Sequence, residues 1–131
     1  VSPVTDGATS VWVATKAGLA RLPDNTQFAR LEDFDIHEAF AAQVLANVAA
    51  LEDKHWIKGK TGIRGDSGAF PWDRVNPNGS SIAIGHPFAA TGARDLSQCV
   101  KELFAMPAVS RAVVSVCADG GQGVVALLER P

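Results

Sequence analysis

The segment from Asn76 to Arg94, N-P-N-G-S-S-I-A-I-G-H-P-F-A-A-T-G-A-R, constrains this chain more than any other stretch. Gly79, Gly85 and Gly92, with Pro77 and Pro87, punctuate a run of small and apolar residues, so a loop must turn here. Pro87 suits the first turn of a helix, where its missing N–H has no partner to lose. Apolar residues recur at helical spacing after it, which predicts a helix over 88–104. Ala89, Gly92, Ala93, Leu96, Cys99, Val100 and Leu103 would form its buried face, with Arg94, Asp95, Gln98, Lys101 and Glu102 opposite. Gly92 weakens such a helix and points to close packing against a neighbour. His86 then sits at a loop-to-helix junction, where the positive end of the helix dipole favours a neutral imidazole able to act as a base. The plainer alternative is a histidine that caps or packs the loop.

The rest of the chain reads as alternating apolar strands and helices. Residues 8–15 (A-T-S-V-W-V-A-T) read as a buried strand, and 22–34 as a polar stretch with a turn at Pro23-Asp24-Asn25. A helix is predicted over 35–51, where Phe40, Val44, Val48 and Leu51 make a stripe that Ala41, Leu45 and Ala49 widen until most of the girth is covered. Residues 53–74 carry Gly59, Gly62, Gly65 and Gly68 and read as a long surface loop. R-A-V-V-S-V-C (111–117) and G-V-V-A-L-L-E (123–129) are strands joined by a short glycine-rich turn, hence antiparallel neighbours. The predicted fold is α/β, a layered mixed sheet with helices, in one domain over 1–131. Only about twenty residues separate the first strand from the first helix, too few for a parallel crossover, so the chain is expected to be shortened between 16 and 34.

Composition excludes several classes of function. A net charge of −2 without a basic stripe argues against nucleic acid as partner. No apolar run approaches the roughly 18 residues of a membrane span. The opening V-S-P-V-T-D-G lacks the pattern of a signal peptide, and two cysteines without C-x-x-C spacing make neither a disulfide framework nor a zinc site. A reducing cytoplasm is the expected setting.

Three groups are candidates for chemistry: His37, His86 and Cys117. His37 stands near the start of the predicted 35–51 helix, where its side chain can project past the helix end. Cys117 closes a strand just before glycine-rich backbone, whose free N–H groups lower a thiol pKa and can bind an oxyanion. The three could form a Cys/His catalytic cluster if those ends converge at one sheet edge, or a three-ligand metal site. The metal reading is weaker, because no two of them share a short ligand spacing. Cys99 reads as core, His55 offers nothing specific, and G-G-Q-G precedes a strand and lacks the P-loop lysine.

I-H-E-A-F-A-A-Q (36–43), N-x-N-G-x-x-x-A-x-G-H-P-x-x-A-T-G-A-R (76–94) and C-x-x-G-G-Q-G (117–123) stand in the order and spacing of the thiolases. The chain resembles the C-terminal half of such an acyl-CoA acyltransferase, and T-D-G-A near residue 6 is similar to the segment leading into that half. The H-E-A-F form resembles the branch containing thiolase subunits of bacterial fatty-acid oxidation complexes. The resemblance implies a five-stranded mixed α/β half, packed against an N-terminal lobe in a homodimer or tetramer. It implies cleavage of a 3-ketoacyl-CoA by CoA, or the reverse condensation, with CoA as substrate and no cofactor or metal. His86 matches the histidine that activates the nucleophilic cysteine, Cys117 the acid/base at the acetyl α-carbon, and His37 the side chain that helps hold the thioester oxygen. Ser2, Ala39 and Phe40 match positions lining the pantetheine tunnel. Asp119 stands beside Gly120 where the family usually has a glycine whose N–H contributes to an oxyanion hole.

The nucleophilic cysteine of that family belongs to the other half, and neither Cys99 nor Cys117 replaces it by position. The chain alone is therefore expected to be inactive, with an apolar face made for a partner. Two alternatives remain: a non-catalytic CoA-binding or interaction module with this half-fold, and a Cys/His hydrolase using Cys117 and His86.

Overall fold

A computed structural model describes residues 31–62 and 69–131. The strand expected over 8–15, the turn at 23–25 and Ser2 lie outside them. Among the described residues the sheet has three strands in the order β1-β2-β3: β1 (Asp33–Ile36), β2 (Arg111–Ala118) and β3 (Gln122–Glu129). β1 runs parallel to β2, with Asp33 opposite Ala112 and Ile36 opposite Ser115. β2 and β3 form the expected antiparallel hairpin, Cys117 facing Gly123. The tight return is made by Gly120 and Gly121 at φ 81° and 74°, a region that residues with a Cβ enter at a cost.

Parallel pairing of β1 and β2 requires a long crossover, and four helices supply it: α1 (Ala41–Glu52), α2 (Lys54–Thr61), α3 (Ser81–Ile84) and α4 (Thr91–Ala105). Residues 35 and 36 belong to β1, so the helix expected from Asp35 begins only at Ala41, after Phe40 in extended conformation. The reason is local. D-F-D-I alternates acid and apolar residues, and its backbone is taken up by the β2 ladder before a helix can start. Val44, Val48 and Leu51 are buried as expected, but Leu45 is 59% exposed and Ala41 and Ala49 are also exposed, so the girth of α1 is not covered among the described residues.

The segment read as a loop over 53–74 instead contains α2 and a 3-10 turn at Trp72–Arg74. Asp53 closes α1 and caps α2, its Oδ1 accepting from the N–H groups of His55 (2.8 Å) and Trp56 (3.1 Å). Gly62, at φ 78°, ends α2 in the left-handed conformation that glycine favours at helix C-termini.

α4 lies across the sheet and makes the core. Cys99 and Leu103 pack with Ala112 and Val114, and Met106, Val116, Ala126 and Leu128 close around them. The helix begins at Thr91 rather than Phe88, because Ala89 adopts φ 65° and interrupts it. Its inward stripe is Thr91, Asp95, Cys99 and Leu103, whereas Leu96 and Val100 are exposed and Ala93 faces water. Asp95, placed by pattern on the solvent side, is 1% exposed because it carries its own counter-ion, Arg94, at 2.8 Å. A Cβ added at Gly92 would meet the Val116 methyls at 3.7 Å, ordinary contact rather than the close approach expected. Phe88, Phe104, Phe40, Val124 and Leu127 lie exposed.

Candidate functional site

The first motif and the glycine-rich stretch meet at the C-terminal edge of the parallel strand pair. His37 follows β1 directly, and its N–H donates to the Ser115 carbonyl at 2.8 Å, extending the ladder by one residue. Asn76 clamps the second segment onto the first. Its Oδ1 accepts from the Ile36 N–H at 2.7 Å, and its Nδ2 donates to the Ile36 carbonyl at 3.0 Å and to Glu38 at 2.9 Å. Glu38 in turn accepts from the Ile82 N–H at 3.0 Å, and the Ser80 hydroxyl donates to the Ile36 carbonyl at 3.1 Å. Such a lattice of side-chain to backbone bonds fixes where residues 80–86 stand relative to β1.

The clamp brings the two imidazoles together, with ring centroids 4.3 Å apart and planes inclined by 40°. Each ring is tied at Nδ1 to a hydroxyl: His37 to Ser81 at 2.7 Å and His86 to Thr91 at 2.6 Å. His37 is 3% exposed, while His86 is open to solvent with Phe88 edge-on at 5.1 Å. Burial, the neighbouring His86 and the Arg94 cation together push the His37 pKa below the usual histidine range, against the opposing pull of Glu38. His37 is therefore neutral near pH 7. Arg94 also reaches Ser81 at 3.3 Å and Ser80 at 3.4 Å. His86 lies five residues ahead of Thr91, where α4 starts, and its ring reaches the head of the helix through the Thr91 hydroxyl.

Cys117 is the penultimate residue of β2, two positions beyond Ser115, and so shares this sheet edge with His37. It does not join the histidines by a hydrogen bond. Val116 faces the α4 core, and strand alternation turns Cys117 to the opposite face. Its thiol pKa is raised by burial, the reverse of the lowering expected from glycine N–H groups. One of those groups, the Gly120 N–H, is taken by the Asp119 carboxylate at 2.8 Å. Asp119 and Gly120 are exposed in the β2–β3 turn, Ala39 is half-buried, and Phe40 is 75% exposed at the head of α1.

Ser81, Thr91, Arg94, Asn76 and Glu38 were not singled out from sequence as site residues, although each lies within the stretches that carry the two histidines. Their signal was available: they are the polar positions of otherwise small and apolar segments. Among the described residues, the one cluster of three or more histidine, cysteine or carboxylate groups with ligand atoms mutually within 4.8 Å is Asp33, Asp35 and Cys99, beneath α4, and it includes neither histidine. No described helix is long and apolar enough to cross a membrane.

A layered α/β unit that presents paired histidines at the carboxyl edge of its parallel strands belongs to the class of folds that place ligands at that edge. The comparisons narrow the class. The family described as "Thiolase, C-terminal domain" matches residues 10–130, and the chain belongs to the thiolase family. It is 43% identical over 96 residues to a probable 3-ketoacyl-CoA thiolase of Caenorhabditis elegans, covering 73% of this chain and 21% of that protein. It is 43% identical over 101 residues to a 3-ketoacyl-CoA thiolase of Salmonella typhimurium, covering 77% of this chain and 23% of that one. Among solved structures, the dimeric peroxisomal thiolase of Saccharomyces cerevisiae superposes with a TM-score of 0.55 at 34% identity, over 77% of this chain and 21% of the yeast chain. A second yeast structure, a peroxisomal 3-ketoacyl-CoA thiolase described as five α-β-α-β-α layers constructed from two core domains of identical topology, gives 0.61 at 28% identity over 98% of this chain and 30% of that one. The chain thus spans between a fifth and a third of the length of these relatives.

Proposed function

We propose that this chain supplies the C-terminal catalytic half-site of an acetyl-CoA C-acyltransferase that cleaves 3-ketoacyl-CoA with CoA, or condenses in reverse. The observation that carries the reading is the pairing of His37 and His86 at 4.3 Å, each anchored at Nδ1. Such anchoring leaves the Nε2 atoms for substrate and nucleophile. His86 takes the proton of a cysteine thiol contributed by an N-terminal lobe, and the thiolate attacks the 3-keto carbon. The oxyanion is held at His37, the bond between C2 and C3 breaks, and Cys117 protonates the departing acetyl-CoA carbanion. CoA then gives its thiol proton to the Cys117 thiolate and displaces the acyl group from the enzyme cysteine, whose released thiolate takes back the proton held by His86. Ser2, Ala39 and Phe40 are assigned to the pantetheine path, and Asp119 and Gly120 to the thioester end. The exposed Phe40, Phe88, Phe104 and Leu127 are the surface expected to seat an N-terminal lobe and a second subunit. The setting proposed is cytoplasmic.

One observation favours a second reading, a non-catalytic CoA-binding or interaction module. The Asp119 carboxylate occupies the Gly120 N–H and brings negative charge to the place where the resemblance expects an oxyanion to be stabilised. The hydrolase alternative loses ground, because burial holds the Cys117 thiol protonated.

A thiolysis assay on chain of confirmed mass separates these readings. No turnover is expected from 131 residues alone. Activity is expected when an N-terminal half bearing the cysteine is added, and is lost with His86→Ala. Turnover by the chain alone, abolished by Cys117→Ala, would overturn the assignment, whereas CoA binding without thiolysis in the complemented protein would establish the second reading.

A further inference from the structure

The hydroxyls that hold the two imidazoles are not equivalent, and the difference lies in what else each touches. Thr91 is 2% exposed, and its Oγ1 sits 2.6 Å from His86 Nδ1 and 3.4 Å from the Pro87 carbonyl. A carbonyl accepts only, so the Thr91 proton has a place to go and its oxygen is left to accept from the ring. Ser81 is 6% exposed, with its Oγ 2.7 Å from His37 Nδ1 and 3.3 Å from Arg94 Nη2. A guanidinium donates only, so the Ser81 oxygen accepts from Arg94 and its proton goes to His37 Nδ1. The opposite arrangement would leave the buried Ser81 proton without an acceptor, at a cost that folded proteins avoid.

We infer that Thr91 and the Arg94–Ser81 pair are positioning residues that give the two histidines opposite tautomers. His86 carries its proton on Nδ1 and offers a bare Nε2, and His37 carries its proton on Nε2 and offers a donor. The pair then presents one acceptor and one donor side by side, and neither role depends on charge. This assignment stands on the hydrogen bonds alone; its use in acyl transfer, His86 as base and His37 as oxyanion donor, rests on the function proposed above. Asp95 belongs to the same device, since it holds Arg94 at 2.8 Å and so aims the guanidinium at Ser81.

The test is the ¹H–¹⁵N long-range correlation pattern of the imidazoles in ¹⁵N-labelled chain at about pH 8.5, where ordinary imidazoles are neutral. His55→Gln removes the one other histidine, which lies exposed in α2. Nδ1–H on His86 and Nε2–H on His37 are expected. Thr91→Val should abolish the single-tautomer pattern of His86 and leave His37 unchanged, Ser81→Ala should do the converse, and Thr91→Ser should restore the pattern of His86. The same tautomer on both rings, or a His86 pattern indifferent to Thr91→Val, would overturn the inference. If Thr91→Val fails to fold, the unsubstituted pair still decides the matter. Tautomers as assigned without thiolysis in the complemented protein would sink the acyltransferase reading alone, and thiolysis with the tautomers reversed would sink this one alone.

Discussion

β1 and α4 bound two buried polar regions, and the two solve the same problem in opposite ways. At the carboxyl end of β1, each imidazole has a hydroxyl partner, and burial with nearby charge keeps His37 neutral. Beneath the body of α4, Asp33 and Asp35 are 0% and 2% exposed beside Cys99. The partner of Asp33 there is another acid, Glu102, and only a shared proton can bridge two carboxylates. Burial, the bond to Glu102 and repulsion from Asp35 push Asp33 up to about 8, and burial and Glu102 push Asp35 up to about 7. Glu102, against its own burial, is held low by hydrogen bonds from Asp33, Asn78 and Gln98. Desolvation removes charge in both places. The first region keeps an uncharged imidazole at His37, and the second keeps acids in the core only while they hold protons.

The largest effect should come from the ion pair that lies between the regions. Arg94→Ala strands the Asp95 carboxylate, and breaking a buried pair from one side costs about 3–5 kcal/mol. Denaturant unfolding would measure it, and Arg94→Ala with Asp95→Asn should recover much of the loss. A cost under about 1 kcal/mol would mean that Asp95 finds another partner or a proton.

Next comes the pH profile of the acid cluster. Asp33 and Asp35 bind protons more tightly folded than unfolded, so stability is greatest below the ordinary aspartate pKa near 4. It declines as pH rises toward their folded values of about 7 and 8. Asp33→Asn keeps the shape, donates to Glu102 at every pH and should flatten that decline, stabilising the chain at pH 8 by roughly 1–3 kcal/mol. Unfolding curves at pH 5 and pH 8 would settle it; an unchanged slope in the variant would show that Asp33 is not the group releasing the proton.

The histidine site should bend the profile the other way, by less. His37 binds a proton less tightly folded than unfolded, so its stabilising neutrality is complete above about pH 6.5 and is lost as pH falls below that value. His37→Gln should remove that acid-side decline while leaving the alkaline decline of the acid cluster intact. A variant that altered both arms would tie the two regions together as one titrating unit.

This contrast also marks what the sequence could disclose. His37 and His86 were legible as candidates from their motifs, and the β2–β3 hairpin from two apolar runs around glycines. Their meeting was implied by the family resemblance and not by any local pattern, because it depends on Asn76, whose side chain pairs with the backbone of Ile36 across 40 positions of sequence. β1 was hidden because its two acids are buried, and a buried aspartate reads as a surface residue until its proton or partner is known. The face of α4 was misjudged for the same reason, since Asp95 points inward with its own cation. α2 was hidden by glycines, of which Gly62 ends the helix and Gly59 sits within it.

The smallest predicted effect tests why glycine stands next to Thr91 at the head of α4, between the two regions. Sequence suggested that Gly92 admits a neighbour at close range, yet a Cβ there would lie 3.7 Å from the Val116 methyls, and no left-handed backbone angle demands glycine. Gly92→Ala should therefore fit without displacement and gain helix propensity and reduced unfolded-state entropy, together about 0.5–1 kcal/mol. The imidazole spectra of the variant should keep the His86 tautomer, because Thr91 would be held in a better-formed first turn. A loss of stability would show that the Val116 contact is tighter than ordinary packing. A gain in stability with a disturbed His86 spectrum would be more informative, since it would mean that the glycine serves the site rather than the core, by letting the head of α4 adjust as Thr91 holds the ring.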